Sequence, residues 1–186
     1  MGQKTNKTNH KFMKCKSIYW LAVLMCFMAI GCDNTEDGSY VDPITLYEKV
    51  NGNWGLTNLK MVDESAKANA IEPSEQNLST YFNYEDFKIK FNVDESMNPT
   101  SYEVLGDVPP LFAKTGFWRL SSDFQQTNAS GPVRIYLYSD AQKTQKTDER
   151  RLTSVPGNND EMELQLVHSS GGIAFVSYVF KLTAIN

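Results

Sequence analysis

Phe87-Lys88-Ile89-Lys90-Phe91-Asn92-Val93 alternates apolar and polar residues without a break. Successive side chains of a strand point to opposite faces, so this stretch predicts a strand that buries Phe87, Ile89, Phe91 and Val93 and leaves Lys88, Lys90 and Asn92 outside. The same period of two recurs on both sides of it. Upstream, Trp54 to Val62 reads as a first strand whose alternation slips phase near Asn58, which predicts a bulge. Downstream, strands are predicted at Tyr102–Leu105, Phe117–Ser121, Val133–Tyr138, Arg150–Val155 and Met162–Val167. A long last strand carries Ala174, Val176, Tyr178, Phe180 and Leu182 on one face. Turn clusters separate them at Gly106-Asp107 with Pro109-Pro110, at Asn128–Pro132, at Pro156–Asp160 and at Gly171-Gly172.

Before the first strand, Asp42-Pro43 reads as an N-cap followed by proline at the first helical position. Ile44, Leu46, Tyr47 and Val50 then share a helical face, and Gly52 stops the run, predicting a helix of two turns. Asp63 to Glu75 reads as a polar loop, and Leu78, Tyr81 and Phe82 as a short helical cover. No long amphipathic helix lies between strands, which excludes parallel βαβ units. About eight strands in series after one short helix predict an all-β fold, an eight-stranded antiparallel up-and-down barrel. A two-sheet sandwich accommodates the same strand count.

The N-terminal part is of another kind. Ile18 to Ile30 is an uncharged apolar run of 13 residues, preceded by Lys14 and Lys16 and followed by Gly31-Cys32. A basic flank, a short apolar core and a small residue at the end make an export signal, and the run is shorter than the ~20 residues a spanning helix needs. Ala29-Ile30-Gly31-Cys32 resembles the lipobox of bacterial lipoproteins, with Ala29 where leucine is usual; the resemblance implies cleavage before Cys32 and its acylation. The expected division is a signal peptide at 1–31, with Met13 as an alternative start, a lipidated tether at 32–42 and the barrel at 43–186. The tether is acidic and poor in apolar residues, too little to offset the entropy of ordering. Its Asp33, Glu36 and Asp37 resemble the surface-export signal of Bacteroidetes-type lipoproteins, an ordinary linker being the other reading.

All 22 acidic residues but only 13 of 18 basic ones follow Cys32, so the processed chain carries 13 − 22 = −9. That charge excludes nucleic acid as a partner, which demands a basic footprint, and leaves membrane attachment to the lipid. Cys15 and Cys26 belong to the signal, so the exported domain has no disulfide and no cysteine metal site.

Gly52-Asn53-Trp54, opening the first strand directly after a short helix, resembles the lipocalin signature. With the lipobox, the eight strands and Tyr178-Val179-Phe180-Lys181-Leu182, the chain resembles a lipocalin-like lipoprotein of the Bacteroidetes type, a group largely of unassigned function. The resemblance implies that Trp54 plugs the closed end of the barrel under the helix, and that a basic side chain of the last strand, Lys181, stacks on it.

Catalytic constellations are absent from the reading. His168 is the one histidine after the signal, beside a Ser-Ser-Gly-Gly turn, and no Gly-x-Ser-x-Gly elbow supplies a nucleophile. The carboxylate pairs Asp63/Glu64, Glu85/Asp86, Asp94/Glu95 and the Asp160–Glu163 group fall at strand ends, where carboxylates are ordinarily solvated, and no loop has the spacing of a calcium site. No enzyme, cofactor or metal is expected. The suggestive residues are Trp118, Arg119, Arg134, Tyr136 and Tyr138, types that interfaces and sugar-binding surfaces favour. The reading is a lipid-anchored protein of the cell envelope, in the outer membrane with surface exposure left open, that binds a small, partly apolar ligand in its barrel. The alternative is a packed barrel that meets a glycan or a protein through its outer aromatic residues. An eight-stranded barrel is wide enough for either.

Overall fold

The computed structural model describes residues 42–107, 111–125, 131–157 and 159–185. The expected signal peptide, Cys32 and the expected tether up to residue 41 lie outside the described residues. Nine strands follow a short helix α1 (Leu46–Val50): β1 (Gly52–Asp63), β2 (Glu75–Asn77), β3 (Lys88–Val93), β4 (Pro99–Leu105), β5 (Thr115–Leu120), β6 (Val133–Tyr138), β7 (Lys146–Ser154), β8 (Glu161–Ser170) and β9 (Ile173–Ala184). A second short helix, α2 (Glu64–Ala68), lies between β1 and β2, and a single 3₁₀ turn (Tyr84–Asp86) precedes β3. β1 pairs antiparallel with β3, each strand from β3 to β9 pairs antiparallel with the next, and β1 pairs with β9 along most of its length, so β1 and β3–β9 form a closed eight-stranded barrel, with β2 added on β1. The expected up-and-down architecture is the observed one, and the sandwich is not. Closure gives every barrel strand a partner on both sides, and β2 pairs with β1 at Lys60–Val62, beyond the Gly52–Gly55 stretch that β3 covers.

Alternation sorts the side chains as expected. Ile89, Phe91, Val133, Ile135, Leu137, Met162, Leu164, Leu166, Phe180 and Leu182 are buried inside. The phase slip of β1 is a bulge between Leu56 and Asn58.

The α1 end is sealed. The helix begins one turn later than Asp42-Pro43 suggested: Thr45 is the N-cap, and Thr45 and Glu48 form a reciprocal capping box. The Thr-x-x-Glu spacing satisfies two orphan donors, which outweighs proline at the first position; Ile44 is left exposed. A helix this short is not stable alone. It is held by burying Leu46 and Val50 and by the Leu46 N–H, which donates to the Asp123 carbonyl at 2.8 Å. Trp54, 3% exposed, donates its indole N–H to the Val50 carbonyl at 2.8 Å, using an acceptor that the helix end leaves free. Tyr47 packs on Trp118 at 5.6 Å between ring centroids. Gly52 has φ +130°, a conformation that L side chains rarely adopt, which is why glycine stands between the helix and Trp54. Lys181 does not stack on Trp54. It points outward and pairs with Glu161 at 3.1 Å, because alternation with the buried Phe180 and Leu182 puts it on the other face.

Two further expectations are corrected. Asp63–Glu75 is not all loop: Asp63 caps α2 by accepting from the Ala66 N–H at 2.8 Å, and the Glu64 carboxylate accepts from the Ser177 hydroxyl at 2.5 Å, burying that serine on the outside of β9. The cover by Leu78, Tyr81 and Phe82 is not a helix; Leu78 is buried, Tyr81 and Phe82 are exposed, and Phe82 and Asn83 have positive φ, which breaks helical continuity.

Candidate functional site

The end of the barrel opposite α1 is closed by side chains of a connection instead of a helix. Leu111 and Phe112, between β4 and β5, reach inward, and Phe112 is 5% exposed. Its ring lies 5.5 Å from Phe87 and 5.2 Å from Phe180, and these three rings fill the mouth end of the core. Aromatic residues stand around this end as well. Phe82 lies 6.3 Å from Tyr84, while His168 lies 6.3 Å from Phe175 and 6.0 Å from Tyr178. Tyr81, Phe82, Ile173 and Phe175 present large apolar surface to solvent.

Beneath Phe112 sits a buried arginine. Arg150 follows the inward phase of β7 with Leu152 and is 1% exposed. Its guanidinium carbon lies 4.3 Å from the centroid of the Phe112 ring. Nη1 donates to the Glu149 carbonyl at 2.8 Å and pairs with Asp148 Oδ2 at 2.7 Å, while Nη2 donates to the Leu111 carbonyl at 2.5 Å. Nε has no partner among the described residues, and neither has the hydroxyl of Tyr102, also 1% exposed, on the inward face of β4. Burial pushes the Tyr102 hydroxyl above its ordinary pKa and the Arg150 charge works against it, so the phenol is protonated at neutral pH. The Tyr102 ring occupies space that only glycine leaves free: a Cβ at position 116 would stand 2.7 Å from it. Asp148 is 44% exposed, so it neutralises Arg150 from the solvent side.

The five residues singled out in the sequence do not form one site. Trp118 is inside the barrel, fully buried, with its indole N–H on the Asn92 carbonyl at 2.9 Å. Arg119, next in the chain, points outward. Arg134 and Tyr136 are also outside, beside a depression of about 200 Å³. Both are already engaged: Arg134 pairs with Glu149 at 2.5 Å, and Lys146 lies over the Tyr136 ring at 5.1 Å. Burial works to raise the Glu149 carboxyl, but Lys146 and Arg134 outweigh it and hold its pKa below the usual range. Tyr138, expected in the same outward stripe, is only 6% exposed, so the stripe is broken. Arg119 lines a separate open groove of about 400 Å³ near α1 with Tyr47, Met97, Asp123 and Lys143. The Lys143 ammonium donates to the Pro99 carbonyl, and desolvation, aided by Arg119, lowers its pKa.

Arg150, Asp148 and Phe112 were not singled out from the sequence. The available signal was the phase of β7: Arg150 and Leu152 are two apart, hence on one face. Among the described residues no three His, Cys, Asp or Glu side chains gather as metal ligands, and no helix is long and apolar enough to cross a membrane.

Over residues 29–183 the chain matches the family described as a domain of unknown function, DUF5004. It belongs to that family, and this barrel is the form the family takes in this chain. No curated protein and no solved structure matches it.

Proposed function

We propose that the chain is a non-enzymatic, lipid-anchored binding protein of the cell envelope whose barrel takes a small, partly apolar ligand through the end opposite α1. The observation that carries this reading is the asymmetry of the two ends. One is sealed by a capped helix hydrogen-bonded to Trp54; the other is stopped, among the described residues, by Leu111 and Phe112 over an aromatic lining. Side chains of a connection are displaced at less cost than a packed secondary-structure element. Apolar and aromatic walls with a few polar groups are what small-ligand sites use. The likeness to lipocalins supports the same reading. Attachment through acylated Cys32, with the outer membrane as location, is supported by the lipobox, and the family match begins at Ala29, inside that motif.

The test is a titration of the mature acylated chain, held in lipid nanodiscs, with the apolar dye 1-aminoanthracene. Energy transfer from Trp54 and Trp118 to the dye is expected to saturate at one dye per chain. Transfer that never saturates, or matches that of empty nanodiscs mixed with an unrelated tryptophan protein, contradicts the reading. The second reading, contact with a glycan or protein through the outer surface, is supported by the open groove that holds Arg119.

A further inference from the structure

We infer that the barrel ligand is an uncharged carbonyl compound with an apolar, preferably aromatic, body, received by Arg150 and Tyr102 in the place that Leu111 and Phe112 occupy. The inference rests on the barrel-binding reading above and adds the chemistry of the ligand.

Three observations converge on it. First, two buried polar groups of the interior, Arg150 Nε and Tyr102 Oη, have no partner among the described residues, although each residue is only 1% exposed. A buried donor without a partner is destabilising, and both groups are donors in their protonated forms. A carbonyl oxygen, with two lone pairs, is the complementary group. Both side chains enter the same interior, Tyr102 from β4 and Arg150 from β7, each buried on the inward face of its strand.

Second, the charge of the site is already balanced. Asp148 Oδ2 stands 2.7 Å from Nη1, so the pair is neutral. A carboxylate ligand brings a second anion next to Asp148, and like charges in one site oppose each other strongly. A neutral acceptor does not incur that repulsion.

Third, the chain supplies its own template. The plug is a carbonyl followed by an aromatic ring: Leu111 C=O accepts from Nη2 at 2.5 Å, and the next side chain, Phe112, has its ring centroid 4.3 Å from the guanidinium carbon and packs against Phe87 and Phe180. A ligand that joins a carbonyl to an aromatic body reproduces both contacts and adds the hydrogen bonds that the plug leaves unmade. Ring pairs with offset or tilted geometry contribute beyond their buried area.

The experiment is calorimetry on the mature chain in nanodiscs, with empty nanodiscs as the blank and three probes on one skeleton: 2-acetylnaphthalene, 2-naphthoate and 2-ethylnaphthalene. The ketone is expected to bind about tenfold more tightly than either of the others, the difference one well-made buried hydrogen bond supplies. Tyr102→Phe, which removes only the hydroxyl, is expected to weaken the ketone and leave 2-ethylnaphthalene unchanged, and Arg150→Met to do the same to a larger extent. Tighter binding of 2-naphthoate overturns the neutral-carbonyl assignment in favour of an anion site. Equal binding of all three probes, or ketone binding unmoved by Tyr102→Phe, overturns the role of the two donors while the barrel reading stands. No binding of any probe removes both.

Discussion

Replacing Trp54 by alanine is expected to lower the unfolding free energy of the barrel by about 3–5 kcal/mol, the usual range for emptying a buried aromatic site. Two effects add. The indole is 3% exposed and fills the space between α1 and the sealed end, so its loss leaves a cavity that the rigid barrel cannot close. Its N–H also meets the Val50 carbonyl at 2.8 Å, and without it the carboxyl end of α1 has an unsatisfied acceptor in an apolar setting. Marginal stability makes such a loss severe, since domains carry only about 5–15 kcal/mol in total. Trp54→Phe separates the two: it keeps most of the volume and loses the hydrogen bond, so a cost near 1 kcal/mol is expected. Urea melts followed by circular dichroism read both. A Trp54→Ala midpoint unchanged from the parent contradicts the closing role of the Gly52-Asn53-Trp54 segment.

The second large effect concerns attachment. Cys32→Ala is expected to move the protein from the membrane fraction to the soluble fraction of the envelope, with the melting midpoint unchanged. Under the proposed processing, the residues after Cys32 carry 13 − 22 = −9, which gives an anionic surface no electrostatic hold, so on that reading attachment rests on the acyl chains. Membrane recovery equal to that of the parent after a salt wash contradicts acylation of Cys32.

The barrel was legible in the sequence because a period of two is a property of the strand itself. Phe87, Ile89 and Phe91, then Val133, Ile135 and Leu137, and Met162, Leu164 and Leu166 are buried where alternation puts them, and the bulge near Asn58 showed as a slip of phase. What was illegible depends on partners distant in the chain. Thr45 displaced Asp42 as helix cap because Glu48 completes the box. Tyr138 has the outward phase of Arg134 and Tyr136, yet it is buried, at the point where the register between β6 and β7 shifts. Tyr102 and Arg150 stand 48 residues apart in the chain. That Arg150 Nε and Tyr102 Oη have no partner among the described residues is a fact of packing, and no local pattern encodes it. The aromatic and arginine residues that drew notice by type proved to be spread over both faces of the sheet, Trp118 inside and Arg119 outside. Residue type chose candidates; only the closure of the barrel decided which of them meet.

The most direct test of a ligand-binding barrel is native mass spectrometry of the mature chain, purified from the cells that make it and released gently from detergent. The expected result is the acylated mass plus one small molecule per chain, lost on unfolding and reduced in occupancy by Arg150→Met. The acylated mass alone, from chains that also take up no added 2-acetylnaphthalene, would contradict the account and leave the outer groove around Arg119 as the place to look.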